Sequence, residues 1–164
     1  MSFYLFNVTL HVLAAFLWLG GLFFLAAVGA PVLRRVEPAD VRARLFQRIG
    51  ERFRTVGWIA IVTLILTGFG NLHFRGLLSM DAFGDPGFWT HPYGRTLAWK
   101  LSLVMSMVVL AAVHDFVLGP RASRLEPGTA GALQTRRRAA WIARLNTVLG
   151  ILLIVISVRL ARGG

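Results

Sequence analysis

Four histidines and a single lysine are the residues of this chain best placed to do chemistry, because each lies in or beside a long apolar run. They are His11, His73, His91, His114 and Lys100. Imidazole is the commonest metal ligand and also an axial ligand to haem. No two histidines stand at HxxxH or similar spacing, so any metal or haem site must be assembled from separate helices. Lys100 and the pair His114-Asp115 lie toward opposite ends of the apolar segment from Arg95 to Leu118. Only fourteen residues, Leu101 to His114, separate Lys100 from Asp115. About twenty apolar residues are needed to cross a bilayer, so one or both charges must sit at or inside its boundary. An ionisable group there is costly and points to a function. Lys100 and His114 are two heptads apart, near one face of a helix and on the order of 21 Å apart along its axis.

The elements that would hold these residues are four membrane spans. Residues 4–33 contain no Asp, Glu, Lys or Arg and form the first, carrying His11 with Trp18 seven residues on. Gly20, Gly21, Ala26 and Ala30 are small enough to allow close helix contact. Val28-Gly29-Ala30 resembles a signal-peptide cleavage site, but no basic segment precedes the run and it is too long, so a retained helix is expected. The second span is 56–74 and contains Gly68, Gly70 and His73. The third is 95–118 and the fourth 141–160, with Asn146 near its inner end as an interhelical hydrogen bonder. The Arg-rich stretch before the second span includes LFQRIGERF, an amphipathic pattern that predicts a short interfacial helix. Residues 75–93 read as an outer loop, where Met80 is a soft candidate ligand for copper. Met105 and Met107 fall on different faces and read as core. No internal repeat is evident at this level.

Charge sets the expected orientation. Residues 34–55 hold seven Arg and three acids, and the loop from Gly119 to Ala140 holds five Arg against one Glu. The positive-inside rule makes both segments cytoplasmic, which puts both termini on the outer, periplasmic side. Trp58 and Trp141 then mark the inner interface and Trp99 the outer one. His11, His73, His91 and Lys100 fall toward the outer side, and His114 toward the inner.

Composition agrees with an all-α integral membrane four-helix bundle in one domain. The 164 residues are 56% hydrophobic, too much for a soluble protein of this size to bury. The net charge of +11 lies between the apolar spans, which fits the lipid bilayer and topology signals and argues against nucleic acid. Without cysteine there is no disulfide and no thiolate metal site. No phosphate-binding Gly-rich loop, nucleophile elbow or paired-carboxylate site is present, so the catalytic residues of an enzyme are unknown.

Several of these residues carry a family resemblance. Leu66-Thr67-Gly68 with Asn71, then Tyr93-Gly94-Arg95 and Lys100, resemble the corresponding stretch of the copper-resistance D (CopD) family of bacterial inner-membrane proteins. That resemblance implies a multi-pass protein of the bacterial inner (cytoplasmic) membrane, active in copper uptake or homeostasis, with a periplasmic metal partner. A weaker likeness is to the HemJ family, four-helix membrane proteins that bind haem b and act in protoporphyrinogen oxidation. Its pattern would fall here on His11, Trp99 with Lys100, His114 and Asn146, while Thr147 stands where that family has an acid. The leading expectation is copper handling, with copper ion or haem b as the bound group. The alternatives are a b-type haem redox protein with an electron-transfer partner and a small membrane scaffold subunit, in either case as a monomer or a homo-oligomer. His11 and His73 are the expected metal or haem ligands, with Lys100 beside them and His91, His114 and Asn146 in support. Gly68 and Gly70 would leave room for a flat cofactor. Lys100 could instead extend to the headgroups, and His91 could sit among them without a ligand.

Overall fold

Proline placement and capping residues divide the chain into helices. The computed structural model describes residues 2–79, 83–125 and 129–163. Helix α1 spans Phe3–Phe24, and the Ser2 hydroxyl accepts the Leu5 amide at its start. It continues through a π-helical stretch, Leu25–Gly29, into a last α turn, Ala30–Leu33. Helix α2 spans Ala39–Phe74. A short α3, Pro86–Thr90, precedes α4, Pro92–Ala112, which passes through a second π stretch, Val113–Leu118, into Gly119–Arg124. Helix α5 spans Ala130–Ala161, and the Thr129 hydroxyl caps it by accepting the Ala132 amide. No strand occurs among the described residues.

Four of these helical segments, Phe3–Leu33, Ala39–Phe74, Pro92–Ala122 and Ala130–Ala161, are long and apolar enough to cross a membrane. The protein is therefore a multi-pass, all-α membrane protein. The chain divides into two units, Met1–Asp85 and Pro86–Gly164. In the first, α1 packs on α2; in the second, α4 packs on α5. Large apolar side chains point away from each pairing: Phe16, Leu66, Met105 and Val155 are exposed, as lipid-facing residues should be. Lipid is as apolar as leucine, so the pairing rests on close packing and hydrogen bonds rather than on the hydrophobic effect.

Three local expectations are corrected. The Arg-rich stretch before the second span is no separate interfacial helix: Ala39–Phe74 is one uninterrupted helix of 36 residues. At about 1.5 Å per residue it is roughly 54 Å long, well beyond a core of about 30 Å, so its first turns project from the membrane. The 75–93 segment is not wholly loop. It contains α3, and Tyr93-Gly94-Arg95 is the first turn of α4. Gly94 is buried there, so close to α3 that a Cβ would run into the Phe88 carbonyl. Gly76, at φ 68°, closes α2: its amide reaches the His73 carbonyl and the Leu77 amide reaches Leu72.

The third correction is that the hairpins repeat a common plan at an offset of 89 residues. Val28, Pro31, Arg35 and Glu37-Pro38 recur as Val117, Pro120, Arg124 and Glu126-Pro127. Each hairpin's first helix widens into a π stretch just before its proline. The Ala30 amide bonds to the Leu25 carbonyl and the Gly119 amide to His114, five residues back in both cases. A proline has no amide to give and its ring presses on the carbonyl four residues earlier. The wider turn makes room for that ring. Buried Trp18 corresponds to Met107, which is fully buried. At the same offset, Lys100 stands in the second hairpin where His11 stands in the first.

Candidate metal-binding site

Packing of α1 on α2 brings five polar or small residues into one interlocked set. Asn7 and His11 are one turn apart on α1, and Thr67 and Asn71 one turn apart on α2. The Asn7 amide donates to the Thr67 carbonyl at 2.9 Å and to Asn71 Oδ1 at 3.0 Å. His11 Nδ1 lies 2.8 Å from Thr67 Oγ1. Gly70 exists to admit Asn7: a Cβ there would come within 2.6 Å of Asn7 Oδ1. Deeper in the hairpin Trp18 is buried, with its Cδ1 3.8 Å from where a Gly57 Cβ would stand.

The tautomer of His11 follows from the hydrogen-bond inventory. Thr67 has one hydroxyl proton, and its shortest acceptor is the Thr63 carbonyl at 2.6 Å. The oxygen can then only accept from His11, so Nδ1 carries the proton and donates. A neutral ring in that state presents its lone pair at Nε2. Metal-binding histidines are usually held in this way, by a hydrogen bond that anchors one ring nitrogen. Thr67 is 6% exposed, so water does not compete for the anchoring bond.

The other residues expected at the site are placed differently. Thr67 precedes His73 by six residues, about 9 Å of helix rise. His73 is exposed at the end of α2, edge-on to Phe74 at 5.7 Å. Phe74 packs on Tyr4 at 5.8 Å, so the end of α2 meets α1 some seven residues before His11. His11 thus meets Thr67, not the level of His73. Gly70 does not leave room for a cofactor, because the Asn7 side chain occupies that space, and Gly68 faces His11 Cε1, 3.7 Å from where its Cβ would be. His91 is the exposed residue preceding α4 and Lys100 is half-buried within it. His114 Nδ1 lies 2.8 Å from Asp115 Oδ1 in the second π stretch. Asn146 is 4% exposed, and its Oδ1 is buried with no hydrogen-bond partner among the described residues. Met80 lies outside the described residues.

No group of three or more His, Asp or Glu gathers to hold a metal among the described residues. What the first hairpin offers is one oriented imidazole at roughly 12 Å from the start of its helix. Asn7 and Asn71 were missed as partners; their signal was the spacing of Asn7 to His11 and of Thr67 to Asn71, four residues in each case.

A multi-pass helical membrane protein with a polar contact built into a helix pair is the class that this fold and site define. Residues 47–160 match the family described as copper resistance protein D, and the chain belongs to that family. A similar protein is an uncharacterized protein of Aquifex aeolicus (strain VF5), 30% identical over 155 residues, which cover 94% of this chain and 92% of that one. No solved structure matches the chain.

Proposed function

We propose that the protein handles copper in the bacterial inner membrane, in uptake or homeostasis, with both termini on the periplasmic side and His11 as the residue that takes the ion. The observation that carries this reading is the anchoring of His11 Nδ1 by Thr67 Oγ1 at 2.8 Å, which fixes the orientation of an imidazole inside a membrane span. Membership of a family named for copper resistance supports copper as the metal. Imidazole nitrogen suits copper. A single fixed donor also suits cargo better than a resident cofactor, because a transported ion must bind well enough to enter and weakly enough to leave.

The test is copper content in two settings. Cells expressing the wild-type chain should accumulate a different amount of copper from cells lacking it, and His11→Ala should abolish that difference. The purified chain should bind copper through His11, with His73→Ala, His91→Ala and His114→Ala retaining it. Copper content that ignores His11→Ala would sink the proposal. A Soret band that shifts on reduction and disappears in His11→Ala would assign the same imidazole to haem b instead.

A further inference from the structure

A groove on the first hairpin, at the Arg-rich end of its helices, joins an apolar floor to a cationic rim. Its floor is formed by Gly21 and Leu25 of the first helix and Phe53 and Val56 of α2, and its volume is about 390 Å³. Gly21 opens it: with no side chain there, the Phe53 ring settles against the α1 backbone, where a Cβ would collide with it. Two arginines, Arg48 and Arg52, stand on its rim. They are one turn apart on α2, a spacing at which like charges repel.

No carboxylate in the segment is paired with either arginine. Glu37 is engaged by Arg42 and Asp40 by Arg44, each at 2.8 Å. Glu51 accepts from Gln47 at 3.0 Å. Among the described residues, no ion pair involves Arg48 or Arg52. The groove therefore presents an apolar slot and two guanidinium groups free of ion pairs where the span leaves the hydrocarbon. Guanidinium matches a phosphate in a planar, two-pronged way. Basic pockets beside transmembrane helices are where anionic headgroups bind.

We propose that this groove holds one anionic phospholipid, its acyl chain on Leu25, Phe53 and Val56 and its phosphate between Arg48 and Arg52. Charge complementarity selects an anionic headgroup, and the apolar floor selects a lipid over free phosphate. The site lies wholly within the first hairpin and does not depend on what His11 binds.

The test uses the full chain in neutral detergent, with phosphatidylglycerol, phosphatidylcholine of the same acyl chains, and inorganic phosphate as separate additions. Lipid retained per protein is read by native mass spectrometry, and thermal stability by tryptophan fluorescence. Phosphatidylglycerol should be retained at one per chain and raise the melting temperature; phosphatidylcholine and inorganic phosphate should do neither. Arg48→Gln with Arg52→Gln should weaken retention by roughly thirtyfold, the loss of two surface arginine contacts to an anionic lipid. Val56→Trp, which fills the slot and leaves both arginines, should also abolish it. Arg136→Gln with Arg137→Gln, in the other hairpin, should leave retention unchanged. The proposal is overturned if phosphatidylcholine is retained equally, if inorganic phosphate reproduces the stabilisation, if Val56→Trp retains the lipid, or if the Arg136/Arg137 variant loses it to the same degree.

Discussion

Replacing Thr67 by valine tests the reasoning at its narrowest point. The side chains have nearly the same shape, so packing between α1 and α2 should survive. What is lost is the hydroxyl that accepts from His11 Nδ1 at 2.8 Å and donates to Thr63 at 2.6 Å. Hydrogen bonds between membrane helices contribute about 0.6 kcal/mol on average and about 1.7 at most. The Asn7 bonds to the Thr67 carbonyl and to Asn71 remain, because neither uses the hydroxyl. For a chain of this size about 1 kcal/mol corresponds to roughly 2–4 °C, so the melting temperature should fall by only about 1–7 °C. Copper affinity should fall further, by about 10–100-fold, the usual cost of removing a partner that orients a metal-binding histidine. Both quantities are measured on purified protein, by thermal unfolding and by competition for copper with a chelator of known affinity. Thr67→Ser, which restores the hydroxyl, should recover both. A folded Thr67→Val protein with wild-type copper affinity would refute the idea that Thr67 prepares His11 as a ligand.

Three further outcomes are expected. Gly70→Ala should destabilise the first hairpin by about 1–3 kcal/mol as an overpacked contact, while Gly68→Ala, whose Cβ would meet His11 at an ordinary 3.7 Å, should be nearly neutral; comparative thermal unfolding separates the two. Asn146→Leu removes a buried oxygen that has no hydrogen-bond partner among the described residues, so stability should hold or rise, and a fall of more than about 3 kcal/mol, the full cost of orphaning a buried polar group, would contradict that placement. A reporter enzyme fused after Gly164 should be active only if it is of the kind that works outside the cytoplasm; activity of a cytoplasm-only reporter would reverse the topology.

The four spans were legible because an unbroken apolar run leaves the chain few alternatives, and all four are helices. Their ends were not. The Arg-rich residues before Val56 suggested a separate surface helix, because charge marks where a segment leaves the hydrocarbon but does not break a helix. Proline breaks a helix, and between Ala39 and Phe74 there is none. The π stretches were hidden because five or six residues of altered winding leave no periodic signature. The prolines at 31 and 120 were the readable sign of them. For the site, His11 was picked out by its depth in an apolar run, which needs no knowledge of packing. Its partner was not, because whether α2 offers Thr67 or His73 depends on how the two helices are set against one another. The space beside Gly68 and Gly70 is taken by the neighbouring helix, through His11 and Asn7, and not by a flat cofactor.

The repetition of one hairpin plan within a single chain has a consequence for how such a protein can change. A unit that crosses the membrane twice begins and ends on the same side, so a tandem copy inherits its orientation without any inversion and without moving a single topogenic arginine. Once two copies share a chain, each is released from serving both purposes, as paralogous genes are. At the shared offset the first hairpin carries an imidazole, His11, and the second an ammonium, Lys100, inside the same plan.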